Sequence, residues 1–232
     1  MTTQIATGLL LVVLPVAYNV LFTVLARTFD YPDILRQPTN DILRRFKKGG
    51  SSLVLTWWAF AMTAVLLAPA VVLFSNAVTD ANATVVALAT TFGVLAAAVQ
   101  FLGLIRWPLA VPYLARTATD PAVDRATEAA VEVTFQTLNR YLGVAVGEHL
   151  GYLFTGLWTA FAGIALVQSE LLNPAFGVAG IAIAPLFVLG AAEFVGPFEQ
   201  EGWKVSSAVV AIAYVGWSIW LLTVGIGLLV AA

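Results

Sequence analysis

The stretch Asn139-Arg-Tyr-Leu-Gly-Val-Ala-Val-Gly-Glu-His-Leu-Gly-Tyr152 places an arginine, a glutamate and the only histidine of the chain in or beside an apolar run of membrane-spanning length. An ionisable group at the centre of a bilayer costs roughly 2.5–3.5 kcal/mol on insertion scales unless it is paired or hydrated. Glu148, His149 and Tyr152 therefore form the candidate site. A carboxyl, an imidazole and a phenol can line a polar pocket that binds or moves a small lipophilic or protonatable compound, and histidine exchanges protons near neutral pH. That is the leading expectation. The alternative is a structural or accessory subunit in which the same groups are a hydrogen-bonded clamp. A third reading makes them general acid and base of an intramembrane enzyme.

Counting removes most cofactor chemistry. The chain has no cysteine and one histidine, which excludes Cys-ligated zinc, iron–sulfur clusters, His-rich metal sites and bis-histidine haem within one chain. A haem held by His149 and Met62, at matching depth in two spans, is the one arrangement left, and no cofactor or metal is expected. No lysine lies mid-span to carry a retinal Schiff base, and phosphate-binding, nucleophile-elbow and dinucleotide patterns are absent. A non-enzyme is the favoured class.

The elements that must position these groups follow from hydropathy. Sixty per cent of the 232 residues are hydrophobic and 10% are charged, and mean hydropathy is +0.92. A soluble domain would carry about a quarter charged residues. A bilayer core about 30 Å thick needs roughly 20 apolar helical residues, and stretches at about 5–26, 52–75, 84–106, 141–167, 175–193 and 206–230 fit or nearly fit. The expected fold is an all-α polytopic bundle of six transmembrane helices forming one integral membrane domain over 1–232. All eleven Lys and Arg fall in 27–51, 106–140 and 194–205. The positive-inside rule makes those segments cytoplasmic and puts both termini outside. The first span lacks a basic n-region and is too long for a cleaved signal. No basic stripe with interleaved aromatics suggests nucleic acid. The expected partners are the lipid bilayer, a small lipophilic ligand, and a homo-oligomer or membrane partner subunit.

Within the fourth span, 100° per residue aligns Gly143, Gly147 and Gly151 as a strip for close helix packing. Tyr141, Glu148 and Tyr152, with Thr155 and Thr159, form a polar face beside it. Arg140 stands at its cytoplasmic end, Asn19 and Gln100 are polar partners from other spans, and Trp57, Trp58 and Trp158 could wall a pocket. Trp107 and Trp203 read as interfacial belt residues, with Arg106-Trp107-Pro108 ending the third span at the surface.

Two short amphipathic helices are expected in the cytoplasmic segments. Ile42 to Lys48, capped by Pro38-Thr-Asn-Asp41 and stopped by Gly49-Gly50, would lie in the membrane plane with Ile42, Leu43 and Phe46 toward lipid. Thr119-Asp120-Pro121 would start a second, running on into the fourth span. Its seam of Asp124, Glu128, Glu132, Gln136 and Arg140 would let the arginine pair with Gln136 or Glu132. Asp33 could pair with Arg36.

Three blocks together carry a resemblance: Phe29-Asp-Tyr-Pro-Asp-Ile-Leu-Arg36-Gln-Pro38 followed by Gly49-Gly50, the Asn139-to-Leu153 stretch, and Tyr214-Val-Gly-Trp-Ser-Ile-Trp220. The chain resembles a family of prokaryotic six-span membrane proteins known as a domain of unknown function. The resemblance covers nearly the whole chain and implies a multi-pass protein of the inner, or cytoplasmic, membrane. It supplies no activity, ligand or catalytic residue.

Overall fold

Long apolar runs leave the backbone no partner but itself, so each folds into a helix that satisfies its own N–H and C=O groups. The structure, a computed structural model, describes residues 2–232, and every regular element among them is helical. α1 is Thr3–Phe29, α2 Thr39–Ala77, α3 Ala83–Leu109, α4 Val111–Ala118 and α5 Arg125–Leu138. A π-helical segment, Asn139–Leu150, joins α5 to α6, Gly151–Gln168. α7 is Pro174–Gly190 and α8 is Lys204–Val230.

Five helical stretches are long and apolar enough to cross a membrane: Thr3–Phe29, Thr39–Ala77, Ala83–Ala118, Arg125–Gln168 and Lys204–Val230. α7 is apolar but has 17 residues, about 26 Å at 1.5 Å per residue. The exposed residues of α1 show why this is a membrane protein. Leu9, Val13, Val16, Val20 and Val24 recur every three or four positions along one outward face, an apolar stripe suited to acyl chains rather than water.

The six long helices close into a ring. α1 packs on α2, α2 on α3, α3 on α6, α6 on α7, α7 on α8, and α8 back on α1. Glycines set several of these seams: a Cβ on Gly163 would lie 2.6 Å from the Gly177 carbonyl oxygen, and one on Gly8 would lie 2.8 Å from that of Gly225. One core fills the end of the ring near the termini, around Phe74, Trp158, Trp217 and Trp220. A second fills the basic end, where Trp57 and Trp107 stack at 4.6 Å and Phe29, Phe46 and Phe135 pack round them.

The second core overturns three sequence expectations. Ile42, Leu43 and Phe46 are almost wholly buried; the short helix turns its apolar face onto protein rather than lipid. It is continuous with the second span except at Gly50, where φ of 58° and ψ of −154° break the helix, a conformation open to glycine alone among ordinary residues. Trp107, expected at the interface, is 1% exposed, and α3 runs on to Leu109. Chain that looked like the end of a span is core because α4, a helix not foreseen, continues the helical stretch to Ala118 and packs on α2 and α5 with Val111, Leu114 and Ala115 buried.

The other cytoplasmic expectation also shifts. α5 starts after Asp124, whose side chain accepts from the Thr127 N–H at 2.7 Å, rather than at Thr119-Asp120-Pro121. Its polar seam holds the short helix: Asn40 donates to Glu128 at 2.6 Å and Gln136 donates to Thr39 at 2.9 Å. Arg140 pairs with Glu199, not with Gln136 or Glu132. Arg36 pairs with Asp33 at 2.9 Å.

At the opposite end Asp80 ties two loops together. It accepts from the Ser169 hydroxyl at 2.6 Å and from the Glu170 N–H at 2.8 Å. Those bonds, the Ser169 one first, hold its carboxyl below the ordinary value of 3.8. A depressed folded-state pKa stabilises the fold above the unfolded value and ceases to do so as pH falls through the folded one. Thermal unfolding in detergent should therefore lose stability on the acid side of pH 4, with a shallower acid limb in Asp80→Asn. An unchanged limb would mean that the bond pair does not form.

Candidate functional site

Glu148 and His149 sit on the π-helical segment, and that winding decides what they meet. In α-winding, residues five apart lie about 140° apart round the axis. In π-winding, i and i+5 are joined by a hydrogen bond. Glu148 thus comes over Gly143 and toward α3 instead of onto a separate face. The glycine strip is what lets α3 in. A Cβ on Gly103 would lie 2.6 Å from the Gly147 Cα, and one on Gly151 would lie 3.1 Å from Gln100.

Gly143 makes room for a cation. A Cβ there would lie 2.5 Å from a terminal nitrogen of Arg106. The Arg106 guanidinium is buried, donates to the Gly103 carbonyl and, at 2.9 Å, to Asn139 Oδ1, and lies 5.5 Å from the centre of the Trp107 ring. It is within Coulombic reach of Glu148 and Tyr31. Arg106 was thus misplaced by the sequence reading, which put it at a surface. The signal was present: Val111, Pro112 and Leu114 continue the apolar pattern beyond it.

Opposite Glu148 stands a group of tyrosines. Tyr152 meets Tyr214 edge to face at 5.8 Å, Tyr214 stacks on Tyr18 at 5.6 Å, and Tyr18 packs on Phe22 at 6.3 Å. Phe22 in turn meets Tyr31 at 5.8 Å. Glu148 lies within Coulombic reach of Tyr31, Tyr152 and Tyr214. Neither the carboxylate nor these four hydroxyls has a hydrogen-bond partner among the described residues, and all five side chains are half-buried. The polar side-chain atoms that are sealed without a partner are the indole nitrogens of Trp57, Trp158 and Trp217. The tyrosine hydroxyls and the Glu148 carboxyl are therefore not sealed. Tyr18 was not singled out from sequence, and Tyr31 and Tyr214 stood there only within the blocks that carry the family resemblance, since charge drew the site reading.

His149 is differently placed. Its Nδ1 lies 2.6 Å from the Ala191 carbonyl oxygen at the end of α7. A carbonyl only accepts, so Nδ1 carries a proton.

The remaining candidates divide. Gln100 donates to Thr155 Oγ1 at 2.8 Å, joining α3 to α6. Asn19 donates to the Pro15 carbonyl at 2.7 Å and to Ser218 at 3.0 Å, joining α1 to α8. Both amides serve helix seams. Trp58 is 49% exposed on the outer face of α2, and Tyr141 is 65% exposed. Arg140 is engaged by Glu199. Met62 is half-buried in α2. No cluster of three metal-ligating side chains occurs among the described residues.

Comparison with curated proteins and with solved structures finds no match to this chain. The family described as Domain of unknown function (DUF4386) matches residues 6–225, a range that takes in every side chain of the Glu148 group. With nearly the whole ring and its interior inside that match, the chain belongs to the DUF4386 family.

Proposed function

We propose that the protein binds or moves a small lipophilic or protonatable compound at an internal polar site formed by Glu148, His149 and Tyr152, with Tyr18, Tyr31, Tyr214 and Arg106 round it. One observation carries this reading: a carboxyl and four phenol hydroxyls, on half-buried side chains within Coulombic reach or linked through ring contacts, bond neither to the protein nor to one another. Buried polar groups are normally satisfied internally. A group of five left open is what a ligand or ordered water needs.

The proposed setting is a single domain of six spans in the inner membrane, α7 being the short one, with the basic end cytoplasmic and both termini outside. The chain lacks cysteine, so single cysteines report topology directly. Ala231→Cys should react with an impermeant maleimide in intact cells, and Lys47→Cys only after the membrane is opened. The reverse pattern would invert the topology.

The site itself is tested by native mass spectrometry of gently purified protein. The wild type should carry a small-molecule adduct. Glu148→Gln and His149→Ala should lose it, with affinity down at least about tenfold, as for the loss of a hydrogen bond to a charged group, while both variants stay folded in detergent. The Ala191 bond of His149 favours a second reading, a structural clamp in an accessory subunit. Variants that misfold, with no adduct on the wild type, would establish the clamp and end the ligand reading.

A further inference from the structure

At the basic end, a cavity of about 580 Å³ opens beside the end of α1, lined among others by Asp30, Tyr31, Asp33, Asp41 and Arg45. Its volume lies in the range of small-molecule sites. Tyr31 belongs both to this cavity and to the internal group: it lines the one and stands within Coulombic reach of Glu148 and Arg106 in the other. From Tyr31 the rings of Phe22, Tyr18, Tyr214 and Tyr152 follow one another inward at centroid spacings of 5.6–6.3 Å. The file ends at Tyr152, one helical turn from Glu148.

We propose that this cavity is the vestibule of the internal site, and that the compound admitted past Tyr31 is a small organic cation, a protonated amine or quaternary ammonium. The inference rests on the internal-site reading and gives it a ligand class and a route. The rings and the inner end favour positive charge, and the mouth sets Asp30, Asp33 and Asp41 against Arg45, with Arg44 and Lys48 beside Asp41 in the adjoining cavity. Aromatic faces attract cations and repel anions. Glu148, at the inner end, is a carboxyl group with no hydrogen bond to the protein. At the mouth, Asp30 is paired with Arg45 and Asp33 with Arg36, while Asp41 has no ion-pair partner among the described residues. The one cation near the inner end, Arg106, is turned to Gly103, Asn139 and the Trp107 face. An anion on this path would meet an unpaired carboxylate, five ring faces and a second carboxylate.

The test is protection of Glu148 from modification. Dicyclohexylcarbodiimide reaches intramembrane carboxyls through lipid, and its adduct on Glu148 is quantified by peptide mass spectrometry in membrane vesicles of known orientation. The probes are benzyltrimethylammonium, permanently charged and unable to cross the bilayer, and neopentylbenzene, its neutral isostere. Benzyltrimethylammonium should slow labelling of Glu148 when added at the cytoplasmic face and have no effect from the other face. Neopentylbenzene should have none. Tyr31→Ala should raise the concentration needed about tenfold, as for loss of a desolvated cation–π contact, and Tyr31→Phe should not. Because Tyr31 packs on Trp57, Asp41→Asn, an exposed change, supplies a second variant with weaker protection and an intact fold.

Equal protection by neopentylbenzene would overturn the cation class and leave the internal site standing. Protection only from the outer face would overturn the vestibule. If neither probe protects, and Glu148 labels as fast in the folded protein as after denaturation, the internal site falls with the inference.

Discussion

Replacing Arg106 with alanine should destabilise the protein by about 3 kcal/mol, as for removing a buried charged donor from two hydrogen-bond acceptors. Arg106 fills the space that Gly143 leaves, bonds Asn139 and lies within Coulombic reach of Glu148. Its loss leaves the Gly103 carbonyl and Asn139 Oδ1 without their donor. Glu148→Gln alone should cost much less, since it removes a charge rather than exposing one. The double variant should then be less damaged than the two singles added together, by about 1 kcal/mol or more, as expected for residues coupled within one polar group. Denaturant titration of the four proteins in one micelle system measures this. Strict additivity would show that Arg106 is a local bond between α3 and the π-helical segment with no bearing on the internal site.

A second large effect is expected at the crossing of α3 and the π-helical segment. Gly103→Leu must place its Cβ 2.6 Å from the Gly147 Cα and 3.0 Å from the Leu142 carbonyl oxygen. Those are backbone atoms, which cannot swing aside as a side chain can. Overpacking of this kind costs about 3 kcal/mol at the upper end of its usual range. It should also push α3 off the segment that carries Glu148, so ligand adducts should vanish along with stability. Gly216 is the contrast. A Cβ there would meet only Ile183 at 3.7 Å, an ordinary contact. Gly216→Ala should be neutral or stabilising by up to about 1 kcal/mol, as for a helical glycine with room to spare. If Gly103→Leu melts like the wild type, the helices do not cross where the glycines imply.

Much of the architecture is legible in the residues because hydropathy is a summed property. Twenty apolar side chains in a row signal a spanning helix whatever their order, and the α-helical bundle with membrane-length runs follows from that. The break at Gly50 was legible too, since Gly49-Gly50 is a stop signal independent of packing. The conflict in the fourth span, Glu148 and His149 among apolar neighbours, is local and visible for the same reason.

Contacts between distant segments are a different matter. Ile42, Leu43 and Phe46 make an apolar face, and nothing in seven residues says whether lipid or protein covers it. Here the covering surface includes Phe29 and Trp107, contributed by other helices. Arg106 reads as a surface residue until α4 carries the helix on past it and packs on α2 and α5. Tyr18, Tyr31 and Tyr214 are unremarkable one at a time and become a group only when α1, the following loop and α8 are adjacent in the ring.

The amino-acid order alone therefore determined that this is an α-helical membrane protein with an ionisable group inside one of its helices, because hydrophobic transfer and the cost of burying charge act residue by residue. Tertiary structure decided what that group faces. The π-winding of Asn139–Leu150 turns Glu148 from its α-helical direction toward Arg106, and closure of the helix ring brings four tyrosines round it. Both are settled by how backbones meet at glycines far apart in the chain, which no local pattern encodes.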